Sequence, residues 1–299
     1  MHGPEITPPM AAREPLQDSA PLALAWSRQE CDQGDGEQPG CGWYHGSWQM
    51  LRYLGVFHSI LSDDDFFLPA LSRLIDAGAR RILISGAADY ALLARVAAAA
   101  GPYLQDMRVT VVDLCGTPLR LNGWYAERFG IDVEVIKENV LLYQPADRFD
   151  LICTHSFLCF FNESERKRLV DRWWLNLRPG GAVLTAQRAR TEDRQPIIRY
   201  TDAEVKALAD RTQRSAEALF QSHAVDPQLA RQLAVDYGRF HWTYLIRTAQ
   251  EIRSLFENSG FKLETFAPPG QAQSVEDAPG TPNESGSVRW RILARKLED

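Results

Sequence analysis

The residues best placed to do chemistry in this chain are Gly86, Asp113, Asn139 and His155, each falling at or just past the end of an apolar run. Segment 81–113 reads RILISGAADYALLARVAAAAGPYLQDMRVTVVD. A short apolar run (Ile82, Leu83, Ile84) meets a tight turn at Ser85-Gly86-Ala87, an alanine-rich helix follows, and a second run at 109–112 ends on Asp113. A glycine turn lets a ligand approach the backbone, and a helix start offers free N–H groups. A carboxylate about 20 residues further on can accept both hydroxyls of a ribose. The pattern predicts a nucleoside site, with a purely structural strand–helix–strand unit as the alternative. A dinucleotide fingerprint wants three glycines, and this turn has Ala88 and Tyr90 where the other two would fall. A pyrophosphate needs very close backbone approach, so NAD and FAD are disfavoured.

The elements that must position these residues continue in order. Segment 133–141 predicts a third strand leaving Asn139 at its end, and 149–156 a fourth delivering His155. A helix over 163–177 ends in Arg178-Pro179-Gly180-Gly181, and 182–187 is a fifth strand. This succession resembles the class I S-adenosylmethionine-dependent methyltransferases, from roughly 81 to 188 and again from 248 to the end. The most specific parts are the order of elements, RFDLI at 148–152 and LRPGG at 177–181. The resemblance implies an α/β fold built on a seven-stranded, mostly parallel, doubly wound sheet, with S-adenosylmethionine as co-substrate. It implies that Ser85, Gly86 and Ala87 lie against the cofactor. Asp113, with Leu114 beside it, would hold the ribose, and Asn139, with Val140, would contact the adenine. The family's first motif usually has an acid where Ile84 stands, and glycines where Ala88 and Tyr90 stand.

Helical additions flank this core of 79–188. Residues 1–41 are rich in Pro, Gly, Gln and acid and predict a flexible segment, with Leu22 to Trp26 as a short apolar stretch able to dock. Residues 42–78 predict a helical lid, in which Tyr44, Trp48, Leu51 and Gly55 share one face with Arg52 on its edge. Those residues suit an amphipathic helix packed on the sheet. They also suit a cover over the cofactor, with Tyr44 and Arg52 reaching the methionine carboxylate and Trp48 facing the sulfonium by a cation–π attraction worth about 0.5–2 kcal/mol. A further helix over 63–77 leads into the first strand. In 189–247, a capping box at Thr201/Glu204 and an Asp226-Pro227 start predict two extra helices inserted after the fifth strand. They form a substrate cap or the interface of a homodimer. Thr248 and Glu251 open the last helix of 248–299, which completes the sheet; 268–287 reads as a loop.

His155 suits a general base, because an ordinary histidine pKa near 6.5 matches proton transfer at neutral pH; the same position suits an imidazole that only shapes the pocket. With Asn139 and Tyr44 it makes the candidate catalytic set. His241 and Tyr244, three apart and on one face with Tyr237, suit an acceptor pocket or simple packing, and His223 lies in the same cap. Glu30, Asp32 and 63–65 read as solvated charge. A net charge of −6 without a Lys/Arg block disfavours nucleic acid, and no apolar run approaches a membrane span. The N-terminus lacks a secretory pattern, which with five cysteines and no CxxC predicts free thiols in a cytoplasmic protein. No cluster shows metal-ligand spacing, so no metal is expected. The expected function is methyl transfer to a small molecule. The alternatives are attack on the aminocarboxypropyl side of the sulfonium, by transfer of that chain or its closure to azetidine-2-carboxylate with release of methylthioadenosine, and a non-catalytic binding protein.

Overall fold

In the computed structural model, residues 14–32, 34, 40–190, 195–219, 225–269 and 287–298 are described. The sheet is built from β1 (Arg81–Ser85), β2 (Arg108–Asp113), β3 (Val133–Lys137), β4 (Phe149–Cys153), β5 (Leu177–Arg190), β8 (Phe261–Ala267) and β9 (Ser287–Lys296). Their spatial order is β3-β2-β1-β4-β5-β9-β8. The first five run parallel, and β9 inserts antiparallel between β5 and β8. A seven-stranded, mostly parallel, doubly wound sheet is what the resemblance implies. The apolar runs of β1, β2, β4 and β5 are buried on both faces, as parallel strands covered by helices require, while the edge strand β3 is partly exposed. The chain leaves β1 toward β2 and β3, then returns to place β4 on β1's other side. Ligands of doubly wound sheets bind in the crevice that this reversal opens at the carboxyl ends of the strands.

Helices α4 (Ala91–Ala100), α5 (Gly116–Phe129), α6 (Glu163–Asn176) and α9 (Ala249–Glu257) link these strands. Their starts follow sequence signals: Asn162 and Glu165 make a reciprocal capping box on α6, and Thr248 caps α9. Helices α7 (Asp202–Leu219) and α8 (Pro227–Phe240) start at Thr201 and Asp226 as expected. The helix α8 stops at Phe240, and β7 (Trp242–Tyr244) pairs antiparallel with β6 (Ile197–Arg199) in a small second sheet that the sequence did not announce. His223 and most of the 268–287 loop lie outside the described residues.

The largest departure lies at the N-terminus. The stretch expected to be flexible contains a 15-residue helix, α1 (Leu16–Glu30), whose Ser19, Ala20, Ala23 and Ser27 are buried. Small residues make this close approach: a Cβ on Gly46 of α2 (Gly42–Tyr53) would lie 2.5 Å from Ser27 Oγ. Polarity alone suggested disorder, but the buried stripe needs only small side chains where helix meets helix. Helices α2, α7 and α8 share their own apolar cluster, including Met50, Leu51, Phe57, Leu208, Leu233 and Tyr237. Helices α2, α7 and α8 therefore form one helical layer. No helix among the described residues is long and apolar enough to cross a membrane.

Candidate active site at the carboxyl ends of β1 and β4

An aromatic cavity opens where the chain reverses. Its floor is the turn after β1, Gly86 to Asp89, together with His155 and Ser156 after β4. Gly86 has φ 74°, and its N–H donates to Val112 O at 2.9 Å. An added Cβ there would lie 2.3 Å from the Phe157 ring, so only glycine fits. Ser156, at φ 50°, is the one non-glycine residue with positive φ among the described residues. Backbone strain of this kind persists where surrounding structure holds it, often beside functional groups.

Helices α2 and α8 supply the walls. Tyr44 stacks on Trp48 (5.6 Å, 16° between planes) and on Tyr237 (5.8 Å, 27°), and those two rings are themselves 6.4 Å apart, so the three form one cluster. His241 stacks on Tyr237 at 5.0 Å. Burial pushes the Tyr44 hydroxyl well above the usual tyrosine range, so it stays protonated and serves as wall and donor rather than base. Tyr237, His241 and Tyr244 all line the cavity, though from a helix and a strand rather than from one helical face.

His155 is held by a residue the sequence had assigned to solvent. Asp63 is fully buried at the end of the 3-10 turn Ser59–Asp63. Its Oδ2 accepts from His155 Nε2 at 2.9 Å and from Arg289 at 2.8 Å, and its Oδ1 from Arg291 at 3.1 Å. Burial opposes the charge on Asp63, but the His155 hydrogen bond and the Arg289 guanidinium override it and hold the carboxyl below its usual range. An ionised carboxylate only accepts, so neutral His155 carries its proton on Nε2 and keeps a lone pair on Nδ1. Burial, opposed by Asp63, moves the His155 pKa down, so the imidazole is neutral at neutral pH. The second arginine-bearing strand, β9, was the missing information: nothing local in Asp63-Asp64-Asp65 marks the first as buried.

Arg52 and Trp48 do meet a carboxylate, but it belongs to the protein. Trp48 Nε1 donates to Asp89 Oδ2 at 2.9 Å, and Arg52 donates to the same oxygen at 2.6 Å. Arg52 also pairs with Glu14 at 2.6 Å, and its side chain is fully buried, away from the cavity. The expectation that Arg52 reaches a ligand is corrected accordingly. Asp89 was missed; its Oδ1 accepts the Ala91 N–H at 2.7 Å, an N-terminal signal for α4 that was legible.

The remaining expected site residues divide. Asp113 and Leu114 face a neighbouring cleft lined also by Lys137. Asp113 Oδ2 accepts Ala87 N–H at 2.9 Å, which joins the cleft to the cavity, and burial raises its pKa. Ser85 is turned inward and accepts from Trp173 Nε1 at 2.9 Å. Asn139 Oδ1 is used by its own turn, accepting Leu141 N–H at 2.9 Å, and Val140 is a core residue. Those two positions face neither cavity nor cleft. Lining the same cleft, Cys31, Cys41, His45 and Cys115 converge, with one ligand atom of each within 4.8 Å of the others. No metal was expected because no cluster shows metal-ligand spacing; the spacing is indeed absent, but these four scattered residues meet through the packing of α1, α2 and α5.

One prediction arises from His241. Burial, with Arg190 adding to it, lowers its pKa to about 3. Its Nδ1 is buried with no partner among the described residues. Above the unfolded-chain pKa of about 6.5, both states are neutral; below it, the unfolded chain takes up a proton that the fold refuses. Stability should fall by up to about 1.4 kcal/mol per pH unit between about pH 6.5 and 3 from this residue alone. Urea midpoints against pH should show this slope in wild type and a shallower one in His241→Phe; parallel slopes would refute it.

No protein-family model matches the chain, and no curated protein matches it. Solved structures with a similar course of chain include an S-adenosylmethionine-dependent methyltransferase from Methanosarcina mazei (16% identity, 74% of this chain and 94% of that one, TM-score 0.44). Others are a possible exported protein from Bordetella parapertussis (16%, 80% and 68%, TM-score 0.49) and an O-methyltransferase family protein from Burkholderia thailandensis (14%, 95% and 70%, TM-score 0.49). Similarities at this level carry no argument about chemistry, which rests on the site itself.

Proposed function

We propose that the protein is an S-adenosylmethionine-dependent transferase that moves a methyl group to a small molecule. The observation that carries this reading is the meeting, at the strand reversal, of the Gly86 turn, a neutral His155 and an aromatic wall. A sulfonium is a cation with little hydrogen-bonding capacity, and π faces such as those of Tyr44, Trp48 and Tyr237 attract it. The nucleoside end would occupy the Asp113 cleft, one hydrogen bond away through Ala87. To rest on Gly86, it requires the Phe157 ring to turn aside. Asp113 would bind the ribose, and His155 Nδ1 would take the acceptor's proton. Alignment of acceptor, methyl and sulfur supplies most of the remaining rate, since well-oriented reactions reach effective molarities of about 10⁵ M or more.

A second reading keeps the cofactor and breaks its other carbon–sulfur bond. The buried, neutral His241 with its unpartnered Nδ1 favours it, because that nitrogen would hold a neutral amine inside the aromatic box. The amine would then close on the γ-carbon and expel methylthioadenosine.

Calorimetry tests the cofactor: S-adenosylmethionine and S-adenosylhomocysteine should bind and NAD should not. Hydrogen bonds to a charged group contribute about 1.5–3 kcal/mol, so Asp113→Ala should weaken binding roughly 10- to 100-fold. Absence of binding to wild type refutes the proposal. Chromatography of an acceptor-free incubation separates the two reactions. An almost inert mixture fits methyl transfer, and catalytic release of methylthioadenosine establishes the second reading.

A further inference from the structure

Cys31, Cys41, His45 and Cys115 come from three places in the chain and converge on one point. Cys31 follows the last residue of α1, Cys41 precedes the first of α2, His45 sits in the first turn of α2, and Cys115 precedes α5. Cys31 Sγ lies 3.3 Å from Cys115 Sγ and 3.5 Å from His45 Nδ1, and Cys41 Sγ lies 3.6 Å from Cys115 Sγ. No pair among them is joined as a disulfide. A tetrahedral zinc ion with Zn–S near 2.3 Å and Zn–N near 2.0–2.1 Å sets its ligand atoms about 3.5–3.8 Å apart. These three separations are close to a tetrahedron's edges, contracted by up to about half an ångström, and the other three pairs lie within 4.8 Å.

We propose that these four side chains form a structural zinc site. Three sulfurs and one imidazole are a soft donor set that selects zinc over hard cations, and four protein ligands leave no open position for catalysis. On binding, the three thiols lose their protons to solvent as the metal takes up thiolates. The surroundings suit that charge. Cys41 and Cys115 stand at the N-cap positions of α2 and α5, where the helix dipoles favour anions. The Thr117 hydroxyl lies 3.1 Å from Cys31 Sγ, in place to donate to a ligating thiolate.

The site would staple the N-terminal helices to the core, because Cys31 and Cys115 are 84 positions apart in sequence. Cys115 is also the residue whose N–H, at 2.8 Å, donates to Asp113 Oδ1. Zinc would thereby fix the backbone that presents the proposed ribose-binding carboxylate. That last consequence rests on the proposed function; the metal site itself does not.

The test is elemental analysis of the full-length protein purified without chelator, followed by cobalt substitution. The expected result is one zinc per chain, retained in Cys153→Ala and lost in Cys115→Ser. Cobalt should give the intense visible bands of a tetrahedral ion and a thiolate-to-metal charge-transfer band. His45→Cys should keep the metal and strengthen that band, which guards against a loss caused merely by misfolding. Folded wild-type protein without stoichiometric metal, and without these bands when cobalt is added under reducing conditions, overturns the site. Because neither readout uses cofactor or activity, failure of the proposed function leaves this result intact, and the reverse.

Discussion

Replacing His155 by glutamine should lower the turnover number by about 10²- to 10⁴-fold, the range a positioned general base contributes. Affinity for S-adenosylhomocysteine should be essentially unchanged. Glutamine is the informative choice because its amide still donates to Asp63, so the buried carboxylate keeps its partners while the ring lone pair disappears. Asp63→Asn is less clean, since it leaves the Arg289 and Arg291 guanidinium groups without their shared counter-charge. The pH profile supplies an independent check. Burial holds the His155 pKa below its ordinary value, and the base works in its neutral form. The rate should therefore stay flat through neutral pH and fall only below about pH 6.5. Turnover unchanged in His155→Gln would assign catalysis to alignment alone; an acid limb above pH 6.5 would point to a different titrating group.

Much of the sheet was legible because its signals are local. Apolar runs, the glycine turn and the capping residues Thr201, Asp226 and Thr248 each act within a few positions, and the structure places elements accordingly. The site was legible only in part, because its decisive contacts join distant residues. Asp63 is buried by arginines more than 220 positions away, and nothing in its own neighbourhood separates it from the acidic run that follows. Arg52 was read as a ligand's partner since its carboxylate, Asp89, lies 37 positions on. The four converging ligands show the same limit: 31, 41, 45 and 115 have no recognisable spacing until α1 packs against α2 and α5. Helix α1 itself escaped notice because its buried face is made of serine and alanine, whose contribution comes from close approach rather than from apolar area.

The Arg52–Asp89 pair should dominate the stability of the helical layer. Both side chains are essentially buried (0% and 3% exposed), and Asp89 Oδ2 also receives the Trp48 indole N–H. Glu14 continues the network from Arg52 to Arg95, which in turn pairs with Asp64. Removing one partner of a buried pair costs about 3–5 kcal/mol where it leaves the other charge alone; here Arg52 keeps Glu14, so that range is the ceiling. Asp89→Ala should therefore lower the unfolding free energy by about 2–4 kcal/mol, read as a shift in urea midpoint at constant slope. A change in the slope would mean that α2 detaches separately from the core. Arg52→Met added to Asp89→Ala should restore much of the loss, because an apolar chain of similar length asks for no counter-charge. If the double variant is as unstable as the sum of the singles, the pair is not acting as a unit. If Asp89→Ala costs less than about 1 kcal/mol, like an exposed pair, α2 is held chiefly by its apolar cluster with α8. A firmly held α2 keeps Tyr44 and Trp48 fixed before any ligand arrives. The aromatic wall is then preorganised, and its ordering entropy is met in folding rather than at each binding event.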